Sequence, residues 1–254
     1  MKIRFLLLAS LALTLGSVSS AWAFDAGRLM GAGANAAAAI TVTDEDLIKA
    51  AQAMRALGDR ENKVAPGNNP YNQRLAKIMK GMENADGLKL NFKVYLTNDV
   101  NANASPDGSI RVYSGLMDLL NDDELFFVLG HEIGHVKDGD VMDAMRVAYI
   151  AAGGREAAAA AGGTVTVLSD SILGDILEAV INAQFSQSQE SAADVYGYNL
   201  LRQYKRNQQA GVTALQKIDQ LGLGGSGGLL GLLSSHPNAG DRAKAIADLI
   251  AQGK

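Results

Sequence analysis

Five residues constrain this chain more than any others: His131-Glu132-Ile133-Gly134-His135, an H-E-x-x-H pattern. With three histidines in 254 residues, composition alone would produce such a pattern on the order of one time in a thousand. The pattern needs a helix to work. Asp122 or Asp123 can cap one whose apolar positions Leu125, Phe126, Val128, Leu129, Ile133 and Val136 run through the motif. His131 and His135 then fall one turn apart on the same face, from which two imidazoles reach one metal ion at roughly 2.0 to 2.1 Å. Glu132 sits beside that face, placed to take a proton from water without occupying the metal. Gly134 is expected to leave the backbone accessible.

A catalytic zinc needs a third protein ligand and an open position. The longer H-E-x-x-H-x-x-G-x-x-H form is excluded, because Asp138 and Val141 stand where it requires Gly and His. A downstream carboxylate remains, and Glu190 in Glu190-Ser191-Ala192-Ala193-Asp194 is the strongest candidate. That stretch reads as an amphipathic helix with Ala193, Tyr196, Gly197 and Leu200, whose small residues let two helices approach closely. Asp194, one turn on, is placed to accept the N–H of His131 and fix its tautomer. Away from the motif, the same pair would read as solvated carboxylates on a helix surface. The third histidine, His236, lies in Ser235-His236-Pro237, and Arg242 follows in the final helix. Both are expected to reach back to the metal and meet the developing oxyanion or the substrate carbonyl. A capping or surface role is the bland alternative for His236, and a fourth ligand that closes the site is the other.

Composition removes several further classes. The chain has no cysteine, so disulfides, thiolate metal sites, thiol nucleophiles and a lipid-modified N-terminal cysteine are all excluded. Its net charge is −4, which leaves no basic field for nucleic acid. Residues 1–23 read as a cleavable signal peptide: Lys2 and Arg4, an apolar run from Phe5 to Leu15, and the A-x-A site Ala21-Trp22-Ala23. A periplasmic or secreted protein is expected, with residues 24–40 as a flexible, Ala/Gly-rich lead-in and 41–254 as a single domain.

Thr43 is expected to cap a first helix closed by Gly58, and a second starts near Pro70 with Leu75, Ile78, Met79 and Met82 on one face. From Leu88 to Leu96 apolar residues alternate with Lys89, Asn91, Lys93 and Tyr95, the signature of a half-buried strand with these four outward. The turn Pro106-Asp107-Gly108 predicts a hairpin between residues 100–105 and 109–114. After Gly115 the chain reads as helix. Between Ala144 and Gly163 the residues Arg146, Arg155 and Glu156 argue for a close-packed helix pair rather than a membrane span. The Gly-rich stretch from Leu221 to Leu233 is expected to be a mobile surface loop. The fold class is therefore α+β, mainly helical, with a small antiparallel sheet.

Taken together, Asn101-Ala102-Asn103-Ala104, the run from Ile110 to Met117, the HEIGH motif, Phe185-Ser186-Gln187 leading to Glu190 and Asp194, and His236-Pro237 with Arg242 resemble the gluzincin metallopeptidase family. That family includes HtpX, the CAAX protease and the mitochondrial Oma peptidase, and the likeness is greatest to its small periplasmic LoiP-like proteases. The resemblance covers most of residues 90 to 245. It implies a zincin-type domain and one Zn2+ per chain held by His131, His135 and Glu190, with Glu132 as general base. It also implies an edge strand at Asn101, Ala102, Asn103 and Ala104 that pairs with extended substrate. LoiP-like members carry a lipid-attachment cysteine that this chain lacks, so outer-membrane anchoring is not carried over. The expected function is a zinc-dependent endopeptidase of the cell envelope, acting on unfolded envelope proteins and associating at most peripherally with membrane proteins. Two rivals are a zinc-binding chaperone or envelope-assembly factor with little proteolysis, and a zinc hydrolase of non-peptide amides.

Overall fold

The computed structural model describes residues 42–152, 168–223, 232 and 235–253. The stretch read as a signal peptide, the expected lead-in, the second half of the Ala/Gly-dense stretch and most of the Gly-rich one lie outside the described residues.

Thr43 starts helix α1 (Asp44–Glu61) with a capping box, its side chain accepting from the Asp46 N–H at 3.2 Å and the Asp46 carboxylate taking the Thr43 N–H. The helix runs past Gly58, which lies buried in the last turn instead of ending it. Asn69 and Pro70 start α2 (Pro70–Ile78), and Leu75 and Ile78 face inward as the periodicity predicts.

Three strands follow: β1 (Asn91–Tyr95), β2 (Ala102–Ala104) and β3 (Ser109–Tyr113). β2 and β3 form the expected antiparallel hairpin, but β3 pairs in parallel with β1, from Asn91↔Ser109 to Tyr95↔Tyr113. The sheet is therefore mixed, not antiparallel. Its order is β1-β3-β2. A chain that runs out in β1, back in β2 and out again in β3 leaves its first and third strands pointing the same way, and here those two are neighbours.

Val94, Ile110, Val112, Ala102 and Ala104 share the apolar face and join the main core. The opposite face is polar and only partly solvated: Asn91 is exposed and Lys93 half-buried, while α1 covers Tyr95 and Arg111. Tyr95, expected to point outward, is 2% exposed and donates its hydroxyl to Asp59 at 2.8 Å. Lys93 reaches the same carboxylate at 2.7 Å, and Arg111 grips it through Nε and Nη2 at 2.7 and 3.0 Å.

The rest is helical, as expected: α3 (Ser114–Leu119), α4 (Asp122–Asp138), α5 (Asp140–Ala151), α6 (Asp170–Ile181), α7 (Gln187–Gln203), α8 (Gln209–Leu223) and α9 (Ala239–Ala251). Residues 221–223, read as the start of a loop, are the last turn of α8, and Leu232 is buried in the main core. That core lies between the sheet and α2, α4, α7, α8 and α9. A separate cluster of Leu47, Met54, Met145, Tyr149 and Ile176 joins α1, α5 and α6. Among the described residues, no helix is long and apolar enough to cross a membrane.

Candidate metal centre

The motif helix α4 is capped by Asn121, not by Asp122 or Asp123 as expected. The Asn121 side chain accepts from the N–H groups of Asp123 and Glu124, and Glu124 returns a bond to the Asn121 N–H at 2.8 Å. Both aspartates thus fall in the first turn, where the helix dipole favours them. Glu124 is buried and also binds Lys217 at 2.6 Å and Thr213 at 2.8 Å on α8.

Helix α7 lies against α4 at backbone contact. A Cβ on Gly197 would sit 2.8 Å from the Phe127 carbonyl, and one on Gly134 would sit 2.9 Å from the Ala193 Cα. Gly134 is therefore closed over by α7 rather than left accessible, because it is a contact point of the helix crossing. This close approach sets Glu190, at the start of α7, beside the two motif histidines.

His131, His135, Glu190 and His236 come together, each buried, with one potential ligand atom apiece within 4.8 Å of the others. His131 Nε2 lies 3.1 Å from His135 Nε2 and 3.2 Å from His236 Nδ1. Glu190 Oε1 lies 3.4 Å from His135 Nε2 and 2.8 Å from His236 Nδ1. A tetrahedron with arms of about 2.0 to 2.1 Å has edges of about 3.3 Å, so these separations suit a zinc donor set.

The outer partners strengthen that fit. His131 Nδ1 lies 2.9 Å from Asp194 Oδ1, and His135 Nδ1 lies 2.8 Å from Asp140 Oδ2. With each Nδ1–H donated to a carboxylate, neutral imidazoles turn both Nε2 lone pairs toward one point, which suits a bound cation. The buried Glu132 Oε1 has no hydrogen-bond partner, and His236 Nε2 approaches it at 3.5 Å.

Charge follows the same logic. Burial, helped by the Arg242 cation, lowers His131 to about 3 despite Asp194. Burial also opposes charge on His135, but Asp140 and Glu190 outweigh it and raise the group to about 9. Burial alone would raise Glu190, yet bonds to His135 and His236 hold it well below the usual carboxylate range. Burial pushes the Glu132 carboxyl up.

Arg242, expected to face an oxyanion, has its guanidinium engaged elsewhere. Nε and Nη2 clasp Asp194 at 2.7 Å each, and Nη1 meets Glu190 Oε2 at 2.5 Å and the His236 carbonyl at 3.4 Å. Asn101, Ala102, Asn103 and Ala104 lie at the sheet edge that packs against α4. Tyr113 N–H bonds to the Asn101 carbonyl and Ser105 N–H to the Ser109 carbonyl, so the alternate residues Ala102 and Ala104 turn their backbone groups to the unpaired side.

Two neighbours escaped the sequence reading of roles. Asp140 opens α5 just after Gly139, whose left-handed φ of 84° turns the chain back toward His135. Its signal was a carboxylate one residue past a Gly helix end. Phe185 stacks on His135 with centroids 4.1 Å apart and rings 19° from parallel.

Comparison with known proteins agrees with this geometry. Residues 69–250 match Peptidase family M48. The chain is 39% identical to Metalloprotease YcaL of Escherichia coli over 98% of its own length and 97% of the relative's. It is also 39% identical to Metalloprotease LoiP of Escherichia coli over the same shares. Protease HtpX of Pseudomonas aeruginosa is 26% identical across 69% of this chain and 72% of that protein. With its H-E-x-x-H helix, its carboxylate donor on α7 and this match over most of its length, the chain belongs to peptidase family M48.

Proposed function

We propose that the chain is a zinc endopeptidase of the cell envelope that cleaves extended or misfolded proteins. The convergence of His131 Nε2, His135 Nε2 and Glu190 Oε1, with both Nδ1 atoms held by carboxylates, carries this reading. These three residues would hold the metal. Zinc, when bound, supplies Lewis acidity toward the scissile carbonyl and brings the pKa of water toward neutrality.

The protein's own groups do the rest. Glu132 receives the proton of the attacking water at its unpaired Oε1 and passes it to the leaving amine, and its burial makes it a stronger base than an exposed carboxylate. Asp194 and Asp140 orient the imidazoles, and Arg242 positions Asp194 and Glu190. The edge-side backbone groups of Ala102 and Ala104 would pair with the main chain of an extended substrate, a mode that favours unfolded chains over folded ones. The basic, apolar and Ala-x-Ala sequence of residues 1–23 supports export to the periplasm.

The decisive experiment is Glu132→Gln. The variant is expected to retain zinc while casein hydrolysis falls by about a hundredfold or more, because an amide cannot accept the proton. Chelation should silence the parent in the same assay. Near-parental turnover by the metal-loaded variant would instead support the chaperone-like rival.

A further inference from the structure

The polar layer between α1 and the sheet holds an arginine whose carboxylate is missing. Arg55, on α1, is 3% exposed. Its Nη1 donates to Asn103 Oδ1 at 2.7 Å, while Nε and Nη2 have no hydrogen-bond partner. Those two nitrogens form the parallel fork with which a guanidinium holds a carboxylate side-on. The same molecule shows the fork filled twice: Arg111 grips Asp59 through Nε and Nη2, and Arg242 grips Asp194 through Nε and Nη2. Asp59 cannot serve Arg55 as well, since Lys93, Tyr95 and Arg111 already engage both its oxygens. A buried cation with an unmade fork costs stability and calls for a partner.

The position of the fork identifies that partner. Asn103, which Arg55 touches, is the middle residue of edge strand β2, between the outward-turned Ala102 and Ala104. A strand added to that edge places alternate side chains on the α1 side of the sheet, and the one opposite Asn103 arrives beside Arg55. The Asn103 Nδ2 and Ser105 Oγ groups on the same face are also buried without partners. We propose that Arg55, with Asn103, forms a carboxylate-binding subsite at the substrate edge and so selects an acidic residue, or a chain terminus, at one position of the bound peptide. This rests on β2 being the substrate platform.

The test uses the zinc-loaded full chain and peptide pairs that differ only by Glu against Gln at successive positions, with a further pair differing by a free or amidated C-terminus. At one position the parent is expected to cleave the carboxylate member with about tenfold higher kcat/KM, the worth of a charged hydrogen bond. Whichever pair shows the preference identifies side chain or terminus as its source. Arg55→Met should abolish the preference, so that both members of the pair are cleaved with the same kcat/KM, and Arg55→Lys, a cation without the fork, should restore only part of it. Calorimetry of the same pairs on Glu132→Gln, alone and with Arg55→Met, reads the preference as binding even if turnover is impaired. A parent indifferent to every pair overturns the subsite, as does an Arg55→Met that weakens both members alike. Failure of the platform looks different: Ala102→Pro and Ala104→Pro would then leave cleavage of all peptides unchanged.

Discussion

His236 sets how the four-donor cluster behaves. Three ligands and an open position make a working zinc site, whereas four protein donors make a closed one. His236 Nδ1 lies 2.8 Å from Glu190 Oε1 and 3.2 Å from His131 Nε2, inside the donor set rather than above it. Arg242, the other group expected to meet the oxyanion, is engaged with Asp194 and Glu190. This arrangement supports the latch over the oxyanion role. His236→Ala is expected to keep its zinc and hydrolyse casein faster than the parent, whereas a lower kcat with zinc intact would restore the oxyanion role. Glu190→Ala should lose zinc to a competing chelator far more readily than His236→Ala, and equal retention would remove Glu190 from the ligand set. The sequence made His131 and His135 legible because H-E-x-x-H fixes their spacing within one helix, whereas the approach of Glu190 depends on the contact between α4 and α7. Asp140 was hidden because its reach to His135 depends on the left-handed turn at Gly139, which spacing alone does not reveal.

At the scale of elements, the site is as good as the contact between α4 and α7. Gly197→Ala would put a methyl 2.8 Å from the Phe127 carbonyl and 3.1 Å from the His131 nitrogen, both backbone, so the helices must part. A loss of about 1 to 3 kcal/mol is expected from such overpacking. Glu190 lies on the same helix and moves with it, so zinc release to a chelator should quicken. Gly174→Ala on α6 is the control: nothing lies within 4 Å of that position, and the change should stabilise by about 0.5 to 1 kcal/mol through helix propensity. Thermal unfolding of both variants checks the pair, and equal effects would mean that helix separation is not what Gly197 protects. The helices were legible from periodicity and caps, because those are local. The parallel β1–β3 pairing was not, since alternation shows which side chains share a face but not which strand takes the middle. Nor did it show that α1 would lie over the polar face, which buries Tyr95 and draws the half-exposed Lys93 to Asp59.

At the scale of the whole molecule, α1 meets the sheet through a polar layer of Asp59, Arg111, Lys93 and Arg55, and α5 touches both apolar clusters, with Val141 in the main core and Met145 and Tyr149 in the smaller one. Apolar contact resists opening over its whole area, while a layer of directed bonds yields once a few are exchanged for water. The molecule should therefore breathe in two steps, with α1, α5 and α6 opening as one unit before the main core. Because α5 begins at Asp140, each opening draws the carboxylate away from His135. By mass action, a ligand that prefers the closed state suppresses the opening. Amide exchange in α1, α5 and α6 should slow together when zinc is added, while the slowest amides of α4 and α7 change less. Uniform slowing across every helix would mean a single cooperative unit. If the two steps hold, metal supply acts as a thermostat on how often this protein loosens, with the catalytic ion doubling as the rivet between its halves.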